Sequence, residues 1–451
     1  MYIYTYFHLI YVIYYMERSE IAQLIAWKNS ENRKPLLIRG ARQVGKTWLM
    51  KAFGNQYYEQ CVYVNFESNK MLGSIFEEDF NIKRIILALQ IETGIIINPE
   101  NTLIILDEIQ EAQGALTSLK YFYENAPEYH IISAGCLLGV ALNRQTSFPV
   151  GKVGFLDLHP LSFVEFLQAV GEISLLHLLE SQDWVLIKTF KTKYIQLLKQ
   201  YYYVGGMPEA VLSFSKNSDF NKVRAVQKRI LESYEQDFSK HAPKEIVPRI
   251  RMLWQSIPAQ LAKENKKFIY GIIKEGARAR EYELALSWLI DCGLVHKVNR
   301  ISKPAIPLKA YEDFGAFKLF MVDIGLLGAM VDIDIKTLLE GNMLFEEFKG
   351  ALTEQFVMQQ LCTFKETFTY YWSAENATAE IDFLLQHSGN IIPLEVKAEE
   401  NLKAKSLKVF HQKYNPAFTI RTSMSDFRIE DWLINLPLYA ISELTVIISK
   451  S

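Results

Sequence analysis

Between the short apolar run Leu36–Ile38 and a helix-forming stretch from Thr47, the chain reads Gly40-Ala41-Arg42-Gln43-Val44-Gly45-Lys46-Thr47. No other feature restricts the fold so strongly. Two glycines let the backbone turn so that successive N–H groups face one point, and the following helix adds the positive end of its dipole. The pattern G-x-x-x-x-G-K-[ST] is that of a phosphate-binding loop. In that reading the backbone of Gly40, Ala41, Arg42, Gln43, Val44 and Gly45 cradles a triphosphate. Lys46 reaches the β- and γ-phosphates, and the Thr47 hydroxyl ligates Mg²⁺. The alternative is a glycine loop that merely turns.

The apolar run Leu103–Leu106 has the character of a strand buried on both faces of a parallel sheet, and it ends in Asp107-Glu108. Asp107 is expected to hold the Mg²⁺ shell and Glu108 to polarise an attacking water. Taken alone, an acidic strand end is commonplace. Downstream of a phosphate loop it has a chemical reason, because a metal offsets the repulsion of adjacent carboxylates. Ser133, near the end of the run His130–Ala134, is a candidate γ-phosphate sensor or equally a core hydroxyl; Cys136 is a less polar candidate. Arg144 and Lys152 are candidate cations for transition-state charge, or ordinary solvated charges.

Strand-like runs at Leu36–Ile38, Cys61–Phe66, Leu103–Leu106, His130–Ala134 and Val153–Leu158 alternate with helical patterns, among them Ile82–Gln90. This implies an α/β parallel-sheet core over residues 19–167. Residues 168–240 read as a helical lid, broken at Gly205-Gly206-Met207-Pro208. Lys267–Arg300 reads as helix, helix, strand, with Tyr282, Leu286, Leu289 and Ile290 at core spacing; residues 241–335 are taken as one segment. Residues 336–451 return to α/β patterning. A chain of 451 residues accommodates several such cores.

Lys+Arg 49 against Asp+Glu 51 leaves a net charge of −2, so the whole molecule exerts no pull on nucleic acid. The four cysteines, Cys61, Cys136, Cys292 and Cys362, form no Cys-x-x-Cys pair; this disfavours a zinc site or disulfide framework and fits a reducing cytoplasm. Residues 1–15 are apolar and aromatic but shorter than the roughly 18–20 residues that span a bilayer. Residues 1–18 are read as an extension, with Met16 the favoured start, and no stable membrane insertion is expected.

The GARQVGKT loop, the LIILDEIQ strand, the ISAGCLLGVAL segment, the SFPVGKVGFLDLHPLSFVEFL stretch and the GGMPEAV break together resemble one family. It is the AAA-type ATP-binding proteins of bacteria and archaea whose carboxyl half is a domain of uncharacterised function. The resemblance runs from about Met16 to Lys405. It implies an AAA-like P-loop NTPase core, a helical lid, a winged-helix-like segment and a nuclease-like terminal domain, without a known substrate. Lys152 stands where many AAA ATPases carry arginine, which puts an arginine-finger role in doubt.

Arg278 and Arg280, before the second helix of the winged-helix-like stretch, are candidate phosphate contacts; the module equally suits protein contact. Glu354 lies on an amphipathic helix, Asp382 in a strand, and Glu395-Val396-Lys397 ends the next. Alternation puts Glu395 and Lys397 on one face. Asp382 and Glu395 could share a divalent metal while Lys397 activates water. The set resembles the metal-dependent nuclease fold of restriction enzymes; its alternative is a buried ion pair. Lys403, Lys405, Lys408 and Lys413 beyond it are a candidate backbone-binding face or a solvated helix.

The expectation is therefore an Mg²⁺-dependent ATPase, a homo-oligomer candidate, whose nucleotide state is coupled to its carboxyl-terminal domains. A nucleotide-gated DNA- or protein-binding module with little hydrolysis, and an ATP-regulated nuclease, are the alternatives.

Overall fold

Five short apolar runs build the first sheet: Leu36–Arg39 (β1), Gln60–Asn65 (β2), Thr102–Asp107 (β3), His130–Ala134 (β4) and Gly154–Asp157 (β5). Every residue of β3 and β4 is buried, as strands covered on both faces require. All neighbours pair in parallel, in the order β2-β3-β4-β1-β5. Strand β4 thus lies between the strand that feeds the glycine loop and the strand that ends in Asp107. The computed structural model describes residues 17–135, 151–263, 267–340, 346–374, 379–400 and 404–450.

Parallel strands cannot be joined by hairpins, so helices return the chain across the sheet. Helix Lys46–Tyr57 follows β1, and Ile82–Thr93 and Ala115–Asn125 follow β2 and β3. Helix Ile82–Thr93 shows the local logic. The Asn81 side chain accepts from the Arg84 N–H at its start, and Gly94, at φ +69°, closes it one turn beyond the expected Gln90. Its Ile85, Ile86 and Leu89 enter a cluster with Val62, Ile104, Leu116 and Phe122. Each such side chain contributes about 1.5–3 kcal/mol on burial.

Contacts divide the chain into two units. The first runs to His159 and includes Asp291–Leu294; the second comprises Pro160–Ile290 and the chain from Val295 onward. In the second, the helices expected after residue 160 occur as Phe163–Ala169, Ile173–Ser181, Trp184–Thr189 and Lys191–Val204. Ser162 and Glu165 form a reciprocal capping box at the first of them. The chain then turns at Gly205-Gly206 and restarts as Pro208–Asn217 with proline in its first turn. Helix Phe220–His241 follows.

The second sheet has eight strands: Val295–Ile301 (β6), Glu312–Met321 (β7), Phe368–Ser373 (β8), Glu380–His387 (β9), Asn390–Val396 (β10), Ile420–Ser423 (β11), Arg428–Glu430 (β12) and Leu433–Pro437 (β13). Their order is β12-β13-β11-β10-β9-β8-β6-β7, with β6–β8, β10–β11 and β11–β13 parallel. Strands from the stretch read as winged-helix-like therefore share one sheet with those of the terminal segment. Within Lys267–Arg300 the first expected helix is a single turn at Tyr270–Ile272. The second, Ala279–Asp291, buries Tyr282, Leu286 and Leu289 as the spacing predicts.

Among the described residues no helix is long and apolar enough to cross a membrane. Among the described residues Cys61, Cys292 and Cys362 form no disulfide. Residues 1–16, Cys136, Arg144 and Lys403 lie outside the described residues.

Candidate nucleotide site

The glycine loop needs its glycines for space as well as for rotation. Gly40 has φ +146°, and a Cβ there would lie 2.1 Å from the Leu158 carbonyl oxygen. Gln43 at φ +67° and Gly45 at φ +98° complete a left-handed turn of the kind that gathers N–H groups into an anion-binding concavity. Helix Lys46–Tyr57 starts at once, so its unpaired N–H groups join the same end. Lys46 is buried, and its ammonium donates to the carbonyls of Gly40 at 2.8 Å and Ala41 at 2.9 Å.

A residue that no sequence motif singles out holds this loop. Arg18, in the segment read as an extension, is buried; its guanidinium donates to the Val44 carbonyl at 3.1 Å and to the His159 carbonyl at 2.7 Å. Arg18 also pairs with Glu20 at 3.6 Å, but nothing local marks its hold on the loop, because the main-chain oxygens it binds are brought near by folding.

Thr47 and Asp107 lie sixty positions apart, yet the Thr47 hydroxyl donates to Asp107 Oδ2 at 2.7 Å. The Tyr63 hydroxyl, on neighbouring β2, donates to the same oxygen at 3.0 Å. Tyr63 is the second residue missed by the sequence reading; its alternation on a strand beside β3 was the available signal. Burial, outweighing the lowering effect of Asn65 and joined by the adjacent Asp107 carboxylate, raises the Tyr63 phenol above its ordinary value and keeps it a donor. Glu108 adopts φ +49°, a conformation that costs a non-glycine residue about 1–3 kcal/mol. Its Oε2 accepts from Gln110 Nε2 at 2.7 Å, which fixes the carboxylate beyond the strand end.

Ser133 pairs with Leu37 on one side and Leu106 on the other, between the loop strand and the acidic strand. It is fully buried, and among the described residues its hydroxyl has no hydrogen-bond partner. A buried hydroxyl normally finds a partner, so this one has capacity for another group. Lys152 pairs instead with Glu124 at 2.9 Å and lies over the Tyr123 ring, an ordinary half-exposed ion pair.

This donor set suits a magnesium nucleotide. A hydroxyl and a carboxylate, both hard oxygen donors, meet beside a loop of main-chain amides and one ammonium, with the unpaired Ser133 hydroxyl on the strand between them.

The second cluster lies on the eight-stranded sheet. Lys397 Nζ pairs with Glu395 Oε1 at 2.6 Å, and Asp382 Oδ2 accepts from the Val396 N–H at 2.8 Å. Lys318, on β7 and absent from the sequence reading, is buried. It lies 2.6 Å from Glu380 Oε1 and 3.8 Å from Glu354 Oε2. Burial works to lower both ammonium groups, but the surrounding carboxylates prevail and hold them above the usual lysine value. Glu395 is buried, and among the described residues its Oε2 has no hydrogen-bond partner. Among the described residues no group of three or more His, Cys, Asp or Glu is placed to hold a metal. Arg278, Arg280, Lys405, Lys408 and Lys413 are all exposed.

Residues 32–167 match the family model described as an AAA domain. Residues 195–337 and 349–440 match two domains of unknown function, DUF8612 and DUF4143. No curated protein matches the chain. Among solved structures the chain is similar to the Walker-type ATPase PABY2304 of Pyrococcus abyssi, at 15% identity and TM-score 0.44, over 70% of this chain and 96% of that one. It is also similar to the ORC1 protein of Aeropyrum pernix, solved in complex with DNA. There the identity is 13% and the TM-score 0.31, over 70% of this chain and 91% of the other. The core is a P-loop AAA ATPase domain on the strength of the family match and the loop-and-carboxylate geometry.

Proposed function

We propose, with residues 32–167 as an AAA ATPase domain, that the protein hydrolyses ATP with Mg²⁺ at Gly40–Thr47 and couples the nucleotide state to its second unit. The observation that carries this is the 2.7 Å hydrogen bond from Thr47 to Asp107, which unites the two halves of the motif. Main-chain amides of Gly40–Gly45 would bind the phosphates. Lys46 would exchange the carbonyls of Gly40 and Ala41 for phosphate oxygens. Thr47 and Asp107 would hold Mg²⁺, which supplies neutralisation of the triphosphate charge. Glu108, braced by Gln110, would accept the proton of the attacking water, and the Ser133 hydroxyl would donate to the γ-phosphate.

Glu108→Gln should leave ATP binding intact while lowering turnover about 100-fold or more, as loss of a general base does. Lys46→Ala should lose binding itself. Both are read by nucleotide titration and phosphate release. Absence of turnover by the unmutated chain, with Mg²⁺ and candidate DNA present, would replace the ATPase with a nucleotide-gated binding module.

A second reading takes the terminal sheet as a metal-dependent nuclease. The buried, unpaired Glu395 oxygen beside the strand of Asp382 favours it. Asp382 and Glu395 would hold the ion, which would supply Lewis-acid activation; Lys397 would stabilise negative charge, and Glu354 would flank the pair. The ion pairs of Lys318 and Lys397 support the simpler role of a buried ionic network. Digestion of linear and circular DNA with Mg²⁺ or Mn²⁺ separates the two. Equal cleavage by the unmutated chain and Asp382→Ala removes the nuclease assignment.

A further inference from the structure

The tetrapeptide Asp291–Leu294 belongs with the first unit, although the residues on both sides of it belong with the second. It lies outside the segment matched by the AAA model. It joins the end of helix Ala279–Asp291 to the start of β6 at Val295. Within it, Gly293 lies close beside the phosphate loop. A Cβ built on Gly293 would lie 3.2 Å from the Ala41 nitrogen, 3.6 Å from the Gly40 carbonyl carbon and 3.7 Å from the Ala41 Cα. All three are main-chain atoms of the Gly40–Ala41 peptide, at the entry to the anion-binding turn. They cannot step aside as a flexible side chain could.

We propose that Asp291–Leu294 is a nucleotide-responsive connector, with Gly293 a positioning residue for the Gly40–Ala41 peptide. This rests on ATP binding at the loop. Phosphates bound by the loop amides restrict that peptide, and the restriction reaches Gly293 because its backbone lies close beside the Gly40–Ala41 peptide. Chain continuity carries it to the helix that ends at Asp291 and to β6. Coupling of this kind is reciprocal: what alters Gly293 alters ATP affinity, and ATP alters the tetrapeptide.

The bland account is that Gly293, at φ +70°, only closes a helix. Gly276 provides the control. It has nearly the same φ, +74°, but a Cβ there meets nothing within 4 Å. Alanine at either position bears the left-handed strain; only alanine at Gly293 also presses on the loop.

The test titrates ATP·Mg²⁺ into the full chain, Lys46→Ala, Gly276→Ala and Gly293→Ala. Gly293→Ala should bind about fivefold or more weakly than Gly276→Ala. Equal affinities of the two glycine variants, with the unmutated chain binding, overturn the connector and leave the ATP site standing. No binding by the folded unmutated chain overturns the ATP site and the connector together. Amide hydrogen exchange in the unmutated chain gives a second readout that holds even if Gly293→Ala fails to fold. Saturating ATP·Mg²⁺ should slow exchange across residues 291–294, and unchanged exchange there with the loop protected overturns the proposal.

Discussion

His130 opens β4 inside an aromatic pocket, with Tyr58 and Trp27 edge-on to its ring and the Tyr58 hydroxyl 2.6 Å from Nδ1. Burial first, then the nearby Arg33 and Lys28 charges, lower its pKa from 6.5 to about 4. The folded imidazole therefore stays neutral where the unfolded one takes up a proton. Stability is unaffected above pH 6.5 and is lost as pH falls from 6.5 to about 4, by about 3 kcal/mol in all at about 1.4 kcal/mol per pH unit. His130→Gln should remove that part of the acid sensitivity. Urea unfolding of both proteins at several pH values checks it, and identical pH slopes would show that His130 carries none. The sequence presents His130 only as the first residue of an apolar run; the pocket that perturbs it comes from separate elements. Glu108 and Ser133 behave oppositely, since their candidacy was legible from strand ends downstream of the phosphate loop.

At the scale of elements, the strand β3 and the loop-to-helix junction were readable because each is encoded locally, by an unbroken apolar run and by glycine spacing. The Gly205-Gly206 break was also readable, but not as a packed junction. The Gly206 N–H donates to Asp323 Oδ2 at 2.6 Å, and Asp323 also caps the helix Ile324–Met330 through the Leu326 N–H. A Cβ on Gly206 would fall 2.1 Å from the Leu161 carbonyl oxygen. Gly206→Ala should therefore destabilise the second unit by about 3 kcal/mol or more while ATP affinity of the folded protein is retained. Denaturant unfolding and nucleotide titration measure the two; a change within about 0.5 kcal/mol would mean the backbone there yields freely. The terminal sheet was only partly legible. The strands that hold Asp382 and Glu395 were expected and β11–β13 were not, while β6 and β7 join the sheet from the segment read as winged-helix-like, because pairing partners are chosen by the fold.

For the whole molecule, two units with separate cores are expected to unfold in separate steps. If ATP·Mg²⁺ binds the folded first unit, as proposed, saturating nucleotide should raise the transition of that unit most. At about 100 times the dissociation constant the gain is about 2.7 kcal/mol. Scanning calorimetry with and without nucleotide, repeated on Lys46→Ala, tests this. A nucleotide effect that persists in Lys46→Ala would place binding elsewhere than the glycine loop.

The linear order of residues was sufficient for the phosphate loop, the acidic strand end and the parallel core, since each depends on backbone freedom or apolar periodicity within a few neighbouring positions. Folding alone decided that Thr47 meets Asp107, that Arg18 holds the loop and Gly293 lies beside it, and that Lys318 enters the terminal carboxylate cluster. Those contacts join positions far apart along the chain. Hydrogen bonding, burial and charge compensation act over a few ångströms of space, whatever the distance in sequence.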